Sequence, residues 1–460
     1  MFNKTGAVPI FRTLLVGMIL IAGCGNGEER LSEERMPWDW QKPGLGVMYQ
    51  IEYRPGWDWD RDYTVFNQSL MDGEGNFDFN GPYPRVDEWV GLSQKIGLDY
   101  HIMEIKWHDG ICYFHTDLTD WKTDTDYAEP FAELSRKAGI PFLYYYSAIF
   151  DHNPQFDDIQ PDPHQTFSVI LQESQPVYEE YLQGQYREIM EQYGPDGMWI
   201  DWHWNDRATP LTIDFFQKNY PEAVLAFNAS NYNPLAHGQL SYTSGEAHGL
   251  EGPPTKIVDF GDRTITVFES AWYWANLNRR DFTHPWELVG PAGKWWQDPS
   301  PRDDQHEILR IVAVVLANGG KYAIGATSQM DGSIYPGQVD QLRTLGNWYR
   351  PRRNLFTEAI PLQYQGECPE GVTVTQSRFY IVASSIDNDR LLHLFNFDGQ
   401  EVSVTVQLAP DSWDMVNGAY LEPNHRELAV TKSGEVLEIS LDPKDVDPVD
   451  TIIRLTGSFQ

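Results

Sequence analysis

The chain is expected to fold as an α/β protein: a (β/α)8 TIM-like barrel followed by a C-terminal antiparallel β-sandwich domain. Three observations predict this. Eight short apolar runs are bounded by turn residues, helical patterns separate several of them, and the texture changes to closely spaced alternating runs after Leu355. The eight expected strands are Gly46–Ile51, Tyr100–Trp107, Pro141–Tyr146, Gly197–Trp202, Val224–Asn228, Leu240–Thr243, Thr264–Ser270 and Tyr322–Ala326. Eight is the number that closes a barrel. Helices are expected over Val86–Lys95, over Tyr127–Ala138 with Gly139 as its stop, over Tyr178–Tyr193, and over Glu307–Asn318 ended by Gly319. Two connections, Phe150–Gln175 and Gly245–Arg263, are long and polar, which suits loops over an active site. Beyond the barrel, Val372–Val374, Phe379–Ala383, Leu391–Phe397, Val402–Val406 and Val436–Ile439 read as antiparallel strands.

The 460 residues divide into four expected segments: a leader over 1–23, a tether over 24–40, the barrel over 41–355 and the sandwich over 356–460. Lys4 and Arg12 precede the apolar run Leu14–Ala22, which is too short for a permanent membrane span. The run ends Leu20-Ile21-Ala22-Gly23-Cys24, which resembles a bacterial lipobox, so lipidation is expected at Cys24 and Gly25–Arg35 serves as the tether. That places the protein at a bacterial cell envelope, held to the membrane by a lipid anchor only. Cys112 and Cys368 are expected to be free thiols.

Charge and composition narrow the partners. Acidic residues outnumber basic ones 67 to 34, for a formal charge of −33, which disfavours nucleic acid. Aromatic residues make up 14%, with 17 Trp and 24 Tyr, enough to supply both a core and faces on which sugars stack.

In a barrel of this class, chemistry sits at the C-terminal ends of the strands. The run Gly197-Met198-Trp199-Ile200-Asp201 delivers a carboxylate at such an end, and burying it between Trp199 and Trp202 without a partner or a task would be costly. Asp201 is therefore the leading catalytic candidate. Further strand-end acids are Glu52, Glu104, Asp109, Glu246 and Glu269. With Trp57, Trp107, Tyr146, Trp202, Trp204, Trp272 and Trp274 they resemble the lining of a glycosidase pocket, in which two carboxylates flank the scissile bond and aromatic rings hold the sugar. The partner implied is an oligo- or polysaccharide. No cofactor and no metal is expected: the Asp117–Asp126 acids lack the pattern of a calcium loop, and His101, His108 and His115 do not share a face.

Lys106-Trp107-His108-Asp109-Gly110-Ile111 resembles the Lys-His-His-Asp-Gly-Phe segment of glycoside hydrolase family 29, the retaining α-L-fucosidases. Tyr145-Tyr146-Ser147, Tyr193–Asp201, Asn318–Tyr322, Asp331–Ile334 and Leu345–Tyr349 follow the family's order, so the resemblance covers about Gly44 to Pro361. It implies hydrolysis of α-L-fucosides or fucose-containing glycans by double displacement, with Asp201 as nucleophile and Glu246 as acid/base. Glu269 and Glu251 are the rivals for the second role. Gln50, Glu52, Trp107, His108, Tyr146, Trp202 and Glu269 would bind substrate. Gln50 and Trp107 stand where the family has His, which bears on sugar specificity because hydroxyl-reading groups set it. Two other functions fit less of the pattern: an anchored glycan-binding protein with a degenerate glycosidase site, and an α-glycosidase with a specificity other than fucose.

Overall fold

The computed structural model describes residues 38–51, 62–79, 81–162, 164–165, 168–201, 207–228, 240–246, 255–259, 264–268, 285–294, 296, 300, 306–362, 371–374, 379–396, 402–413, 415–457 and 459. Cys24, Glu52, Trp57, Trp202, Trp204, Glu251, Glu269, Trp272, Trp274 and Cys368 lie outside them. Eight parallel strands close into a barrel: β1 (Gly44–Gln50), β2 (Tyr100–Lys106), β3 (Phe142–Ser147), β4 (Gly197–Asp201), β5 (Val224–Phe227), β6 (Tyr242–Glu246), β9 (Trp286–Pro291) and β10 (Lys321–Thr327). Between β6 and β9 in the chain, β7 (Thr255–Asp259) and β8 (Thr264–Phe268) pair antiparallel with each other, apart from the barrel.

This corrects the expected seventh strand. The Thr264–Ser270 segment has the alternating β-branched pattern of a hairpin strand, and β8 takes that form. The seventh barrel strand is Trp286–Pro291, disguised in the sequence by a charge at its second position and a proline at its end. Glu287 is tolerated because it faces polar partners inside the barrel.

The described helices are α1 (Tyr63–Ser69), α2 (Val86–Ile96), α3 (Ala128–Ala138), α4 (Pro176–Tyr193), α5 (Ala208–Asn219), α6 (Glu307–Ala317), α7 (Pro336–Tyr349) and α8 (Arg353–Thr357), of which α2, α3, α4 and α6 match the four expected from the sequence. Gly139 stops α3 in a left-handed conformation at φ 71°, which a residue without Cβ adopts at little cost. From Ile308 onward the helix α6 is buried on all sides, apolar except for Arg310, because it is covered on one side by the barrel and on the other by the C-terminal sheets.

Two further sheets lie C-terminal to the barrel: a six-stranded one in which β11 (Ile360–Pro361), β13 (Phe379–Ile386), β14 (Asp389–Asn396), β20 (Thr451–Gly457), β16 (Val416–Leu421) and β17 (Arg426–Leu428) run in that order, and a four-stranded one of β12 (Val372–Val374), β15 (Val404–Leu408), β19 (Val436–Leu441) and β18 (Val430–Ser433). Both are antiparallel. Alternation along β13 divides its side chains between two cores. Phe379, Ile381 and Ala383 pack toward the four-stranded sheet, while Tyr380 and Val382 join the core that contains α6 and α8. Across this junction Asn318 Nδ2 donates to the Tyr380 hydroxyl at 3.2 Å, and Arg352 pairs with Asp447 at 2.8 Å.

Glycine is required where β4 begins. A Cβ on Gly197 would stand 1.8 Å from the Val224 carbonyl oxygen on β5, with no flexible atom to yield. Gly197→Ala should therefore displace the strand that carries Asp201 and cost about 1–3 kcal/mol or more. A thermal unfolding midpoint equal to that of the parent protein would contradict this.

Candidate active site

The barrel interior is filled from below by Met48, Tyr100, Ile102, Leu143, Tyr145, Trp199, Ala226, Tyr242, Val289 and Ala323, with Trp107 and Trp296 closing the same cluster. Within this layer Glu287 is fully buried. It accepts hydrogen bonds from the Tyr100 hydroxyl at 2.6 Å, from Trp199 Nε1 at 2.8 Å and from Ser244 Oγ at 2.8 Å. Burial pushes its carboxyl above the ordinary range, against the pull of those three donors and of Lys321. Lys321 is buried beside it, its ammonium 4.6 Å from the Tyr242 ring centroid, and burial brings its pKa down to about 8. These groups fix the orientation of Trp199, on which Tyr145 stacks with centroids 5.4 Å apart.

Asp201 ends β4 at the C-terminal rim and is 4% exposed. Its Oδ2 accepts a hydrogen bond from the Tyr145 hydroxyl, and its Oδ1 accepts one from Asn228 Nδ2 at 2.6 Å. Burial, followed by the negative charges of Asp201, Glu104 and Glu246, holds the Tyr145 hydroxyl proton far more tightly than usual, so Tyr145 acts here as a donor. Glu246 ends β6, half-buried, and accepts a second hydrogen bond from the same Asn228 nitrogen at 2.7 Å. One nitrogen reaching both acids keeps these carboxyl oxygens at most about 5.3 Å apart, the sum of 2.6 and 2.7 Å.

Trp107 and His108 follow β2 directly and stack with centroids 4.1 Å apart. Ser147 gives its proton to the Phe150 carbonyl at 2.8 Å, so its oxygen accepts from His108 Nδ1 at 2.7 Å. That fixes a proton on Nδ1 and turns Nε2 toward the rim, 3.8 Å from Asp201 Oδ2. A buried ion pair holds this arrangement from behind. Lys106 meets Asp151 at 2.5 Å with neither side chain exposed, and it also donates to the Ser147 carbonyl at 3.0 Å. The long β3–α4 connection therefore supplies Asp151 to brace His108, whose carbonyl accepts the backbone N–H of His152.

The sequence-predicted residues are thus sorted. Asp201, Glu246, Trp107 and His108 stand at the rim, and Glu104, buried on β2, accepts the Ile51 backbone N–H at 3.3 Å and lies close enough to act on Tyr145. Gln50 ends β1, half-buried, with Oε1 directed at Gly325 of β10. Tyr146 requires correction. It lies on the outer face of β3, against Tyr186 and with its hydroxyl bonded to Gln185 of α4, whereas the inward position belongs to Tyr145. Successive strand residues alternate faces, so a displacement of one residue exchanges pocket for core. Asp109 serves its own loop by accepting the Ile111 N–H at 3.0 Å. Glu52, Trp202 and Glu269 lie outside the described residues. Cys112 is free and buried, its thiol pushed up to about 12 by burial, which makes it a poor nucleophile.

Sequence reasoning missed Asn228, Tyr145, Trp296 and Glu287. Asn228 ends the fifth expected run, Val224–Asn228, and the rule that strand ends carry chemistry would have found it had amides been weighed with acids. Trp296 packs over Gly325, where a Cβ would meet its ring at 2.3 Å, and no periodic pattern marks it. Among the described residues no group of three or more His, Cys, Asp or Glu is placed to hold a metal ion.

Two carboxylates bridged at the C-terminal rim of a closed (β/α)8 barrel define a glycoside hydrolase. The family comparison agrees. A model of the alpha-L-fucosidase family matches residues 27–352, and the chain belongs to that family. Among solved structures, alpha-L-fucosidase isoenzyme 1 from Paenibacillus thiaminolyticus is 18% identical, with a TM-score of 0.63 over 93% of this chain and 99% of its own. The Thermotoga maritima alpha-fucosidase in complex with fucose is 18% identical, with a TM-score of 0.63 over 91% of this chain and 96% of its own. A Bacteroides thetaiotaomicron alpha-L-fucosidase trapped as a covalent intermediate with 2-fluoro-fucosyl fluoride is 15% identical, with a TM-score of 0.60 over 91% of this chain and 94% of its own. These likenesses show a shared fold. Comparison with curated proteins gives no match.

The Lys106–Asp151 pair yields a test of how the rim is braced. Lys106→Met should strand a buried carboxylate and cost about 3–5 kcal/mol. Lys106→Met combined with Asp151→Leu should recover most of that stability in thermal unfolding, yet turnover should stay low because the Ser147 carbonyl loses its donor. Full activity in the double variant would show that His108 needs no such brace.

Proposed function

We propose that the protein is a retaining glycosidase that cleaves α-L-fucosides or fucose-containing glycans by double displacement, with Asp201 as nucleophile and Glu246 as acid/base. The observation that carries this reading is the shared hydrogen bond from Asn228, which keeps one carboxyl oxygen of each acid at most about 5.3 Å from the other. Retaining pairs stand roughly 5–5.5 Å apart, and inverting pairs need roughly 6.5–9.5 Å to admit a water. In the first step Asp201 attacks the anomeric carbon as the glycosidic C–O bond breaks, and Glu246 in its acid form transfers its proton to the departing oxygen. In the second, the Glu246 carboxylate takes a proton from water, whose oxygen displaces Asp201 and releases the sugar with its configuration kept. The Tyr145 hydroxyl steadies the Asp201 carboxylate before attack.

Trp107 and Gln50 bear on the sugar rather than on the reaction. An indole beside His108 presents an apolar face with one donor and no acceptor, so the glycone is read by fewer hydroxyl contacts than three imidazoles would make. This favours a substituted fucoside or an internal bond of a fucose-containing polysaccharide. The lipobox-like Leu20–Cys24 segment supports attachment of the enzyme to a bacterial envelope through a lipid on Cys24, with residues 24–40 as tether.

The test is hydrolysis of an aryl α-L-fucoside followed by NMR of the released sugar. Asp201→Asn should abolish turnover, and Glu246→Gln should slow substrates with poor leaving groups by about 10²–10⁴-fold while sparing activated ones. The first-formed product should be the α anomer. Release of the β anomer, or equal activity of Glu246→Gln on all leaving groups, would overturn the assignment. Protein that partitions into membranes as wild type and into the soluble fraction as Cys24→Ser would support the anchor.

A further inference from the structure

We propose that Asn228 is a positioning residue that serves both half-reactions, its single side-chain nitrogen holding the nucleophile and the acid/base together and favouring whichever of them carries the charge. The proposal rests on the assignment of Asp201 and Glu246 made above. Asn228 follows β5 at the rim and is almost fully buried. Its backbone N–H donates to the Ile200 carbonyl at 2.8 Å, one residue before Asp201, so its main chain is registered against the nucleophile strand. Its Nδ2 has two protons and meets two carboxyl oxygens, Asp201 Oδ1 at 2.6 Å and Glu246 Oε1 at 2.7 Å. The donors of this group are fully used by the two acids of the reaction.

The chemistry explains why an amide suits the place. Before attack the negative charge is on Asp201 and the proton is on Glu246. After the glycosyl ester forms, Asp201 is neutral and Glu246 is a carboxylate. The charge has crossed from one acid to the other while the amide stays still, with one N–H aimed at each. A donor already oriented toward both charge positions needs no reorganisation between the steps. A lysine here would favour ionisation of both acids at once and deplete the protonated form of Glu246 that the first step consumes. An apolar residue would leave two close carboxyls with no common donor, and their repulsion would resist ionisation of the pair. A neutral group with two equivalent donors avoids both outcomes.

Among the described residues, the other titratable groups shown near this pair are His108, with Nε2 at 3.8 Å from Asp201 Oδ2, the Tyr145 hydroxyl bonded to Asp201, and Glu104, whose charge acts on Tyr145. None of them touches both acids in the described structure, so loss of Asn228 has a distinctive expected signature. The experiment is the pH profile of kcat/KM on an aryl α-L-fucoside for the full-length protein and for Asn228→Ala and Asn228→Asp. In Asn228→Ala each acid loses a donor that favours its charged form, so both limbs of the pH profile should move to higher pH. The kcat should fall by about 10-fold to 100-fold. Asn228→Asp keeps the shape and replaces the donor nitrogen with an acceptor, so it should be no more active than the alanine variant, and it stands in for that variant should alanine not fold. A fall in kcat with both limbs unmoved would mean a purely structural role and would overturn the proposal, as would a wild-type profile. Failure of the underlying assignment would be seen separately, in Glu246→Gln that keeps wild-type activity on poor leaving groups while the Asn228 variants behave as they will.

Discussion

Closure of the barrel is the constraint from which the rest follows. Once eight parallel strands meet edge to edge, every inward side chain at the C-terminal rim points at one axis, whatever its distance in sequence. Asp201, Asn228 and Glu246 come from three consecutive strands and meet through a single amide nitrogen. The interior beneath must then be filled, and it is filled in a graded way. Glu287 and Lys321 lie at the lower layer with Tyr100, Ser244 and Trp199 as partners, while Tyr145 stacks on Trp199 and carries its hydroxyl up to Asp201. Fully buried charges of this kind contribute little net stability, because desolvation offsets their attraction. Here they orient the tryptophan that supports the site.

The rim is braced from outside as well. Lys106 ends β2 and Asp151 lies on the β3–α4 connection, and their pairing holds the backbone of Ser147, whose hydroxyl oxygen selects the His108 tautomer. His108 is thus set by hydrogen bonds two removed from the reaction, which is how a loop residue acquires the precision of a strand residue. Trp107 and Trp296 pack differently, one stacked on His108 and one over the bare backbone of Gly325, where the Trp296 carbonyl also accepts the Thr327 hydroxyl at 3.0 Å.

Much of this was legible in the amino-acid sequence, for identifiable reasons. Seven of the eight barrel strands stood out because a strand buried on both faces reads as a continuous apolar run with turn residues at its ends. The seventh did not, because Trp286–Pro291 contains Glu287, and a buried charge is invisible to an apolar pattern unless its partners, Tyr100 and Ser244, are known to be near. Asp201 was legible since a carboxylate after such a run is chemically conspicuous. Asn228 was not, since an amide there has many bland roles until its two acceptors are seen. Tyr145 and Tyr146 show a different limit. Adjacent tyrosines in a strand are equivalent by composition, and only the register of the sheet says which one faces the pocket.

The sheet formed by β11, β13, β14, β20, β16 and β17 has apolar side chains on both surfaces, Phe379 and Ile381 on one, Tyr380, Val382 and Phe395 on the other. A module of that construction is no portable cassette. Severed from the catalytic barrel it would turn a sticky plane toward water, and the barrel in turn would lose the cover of its most apolar helix.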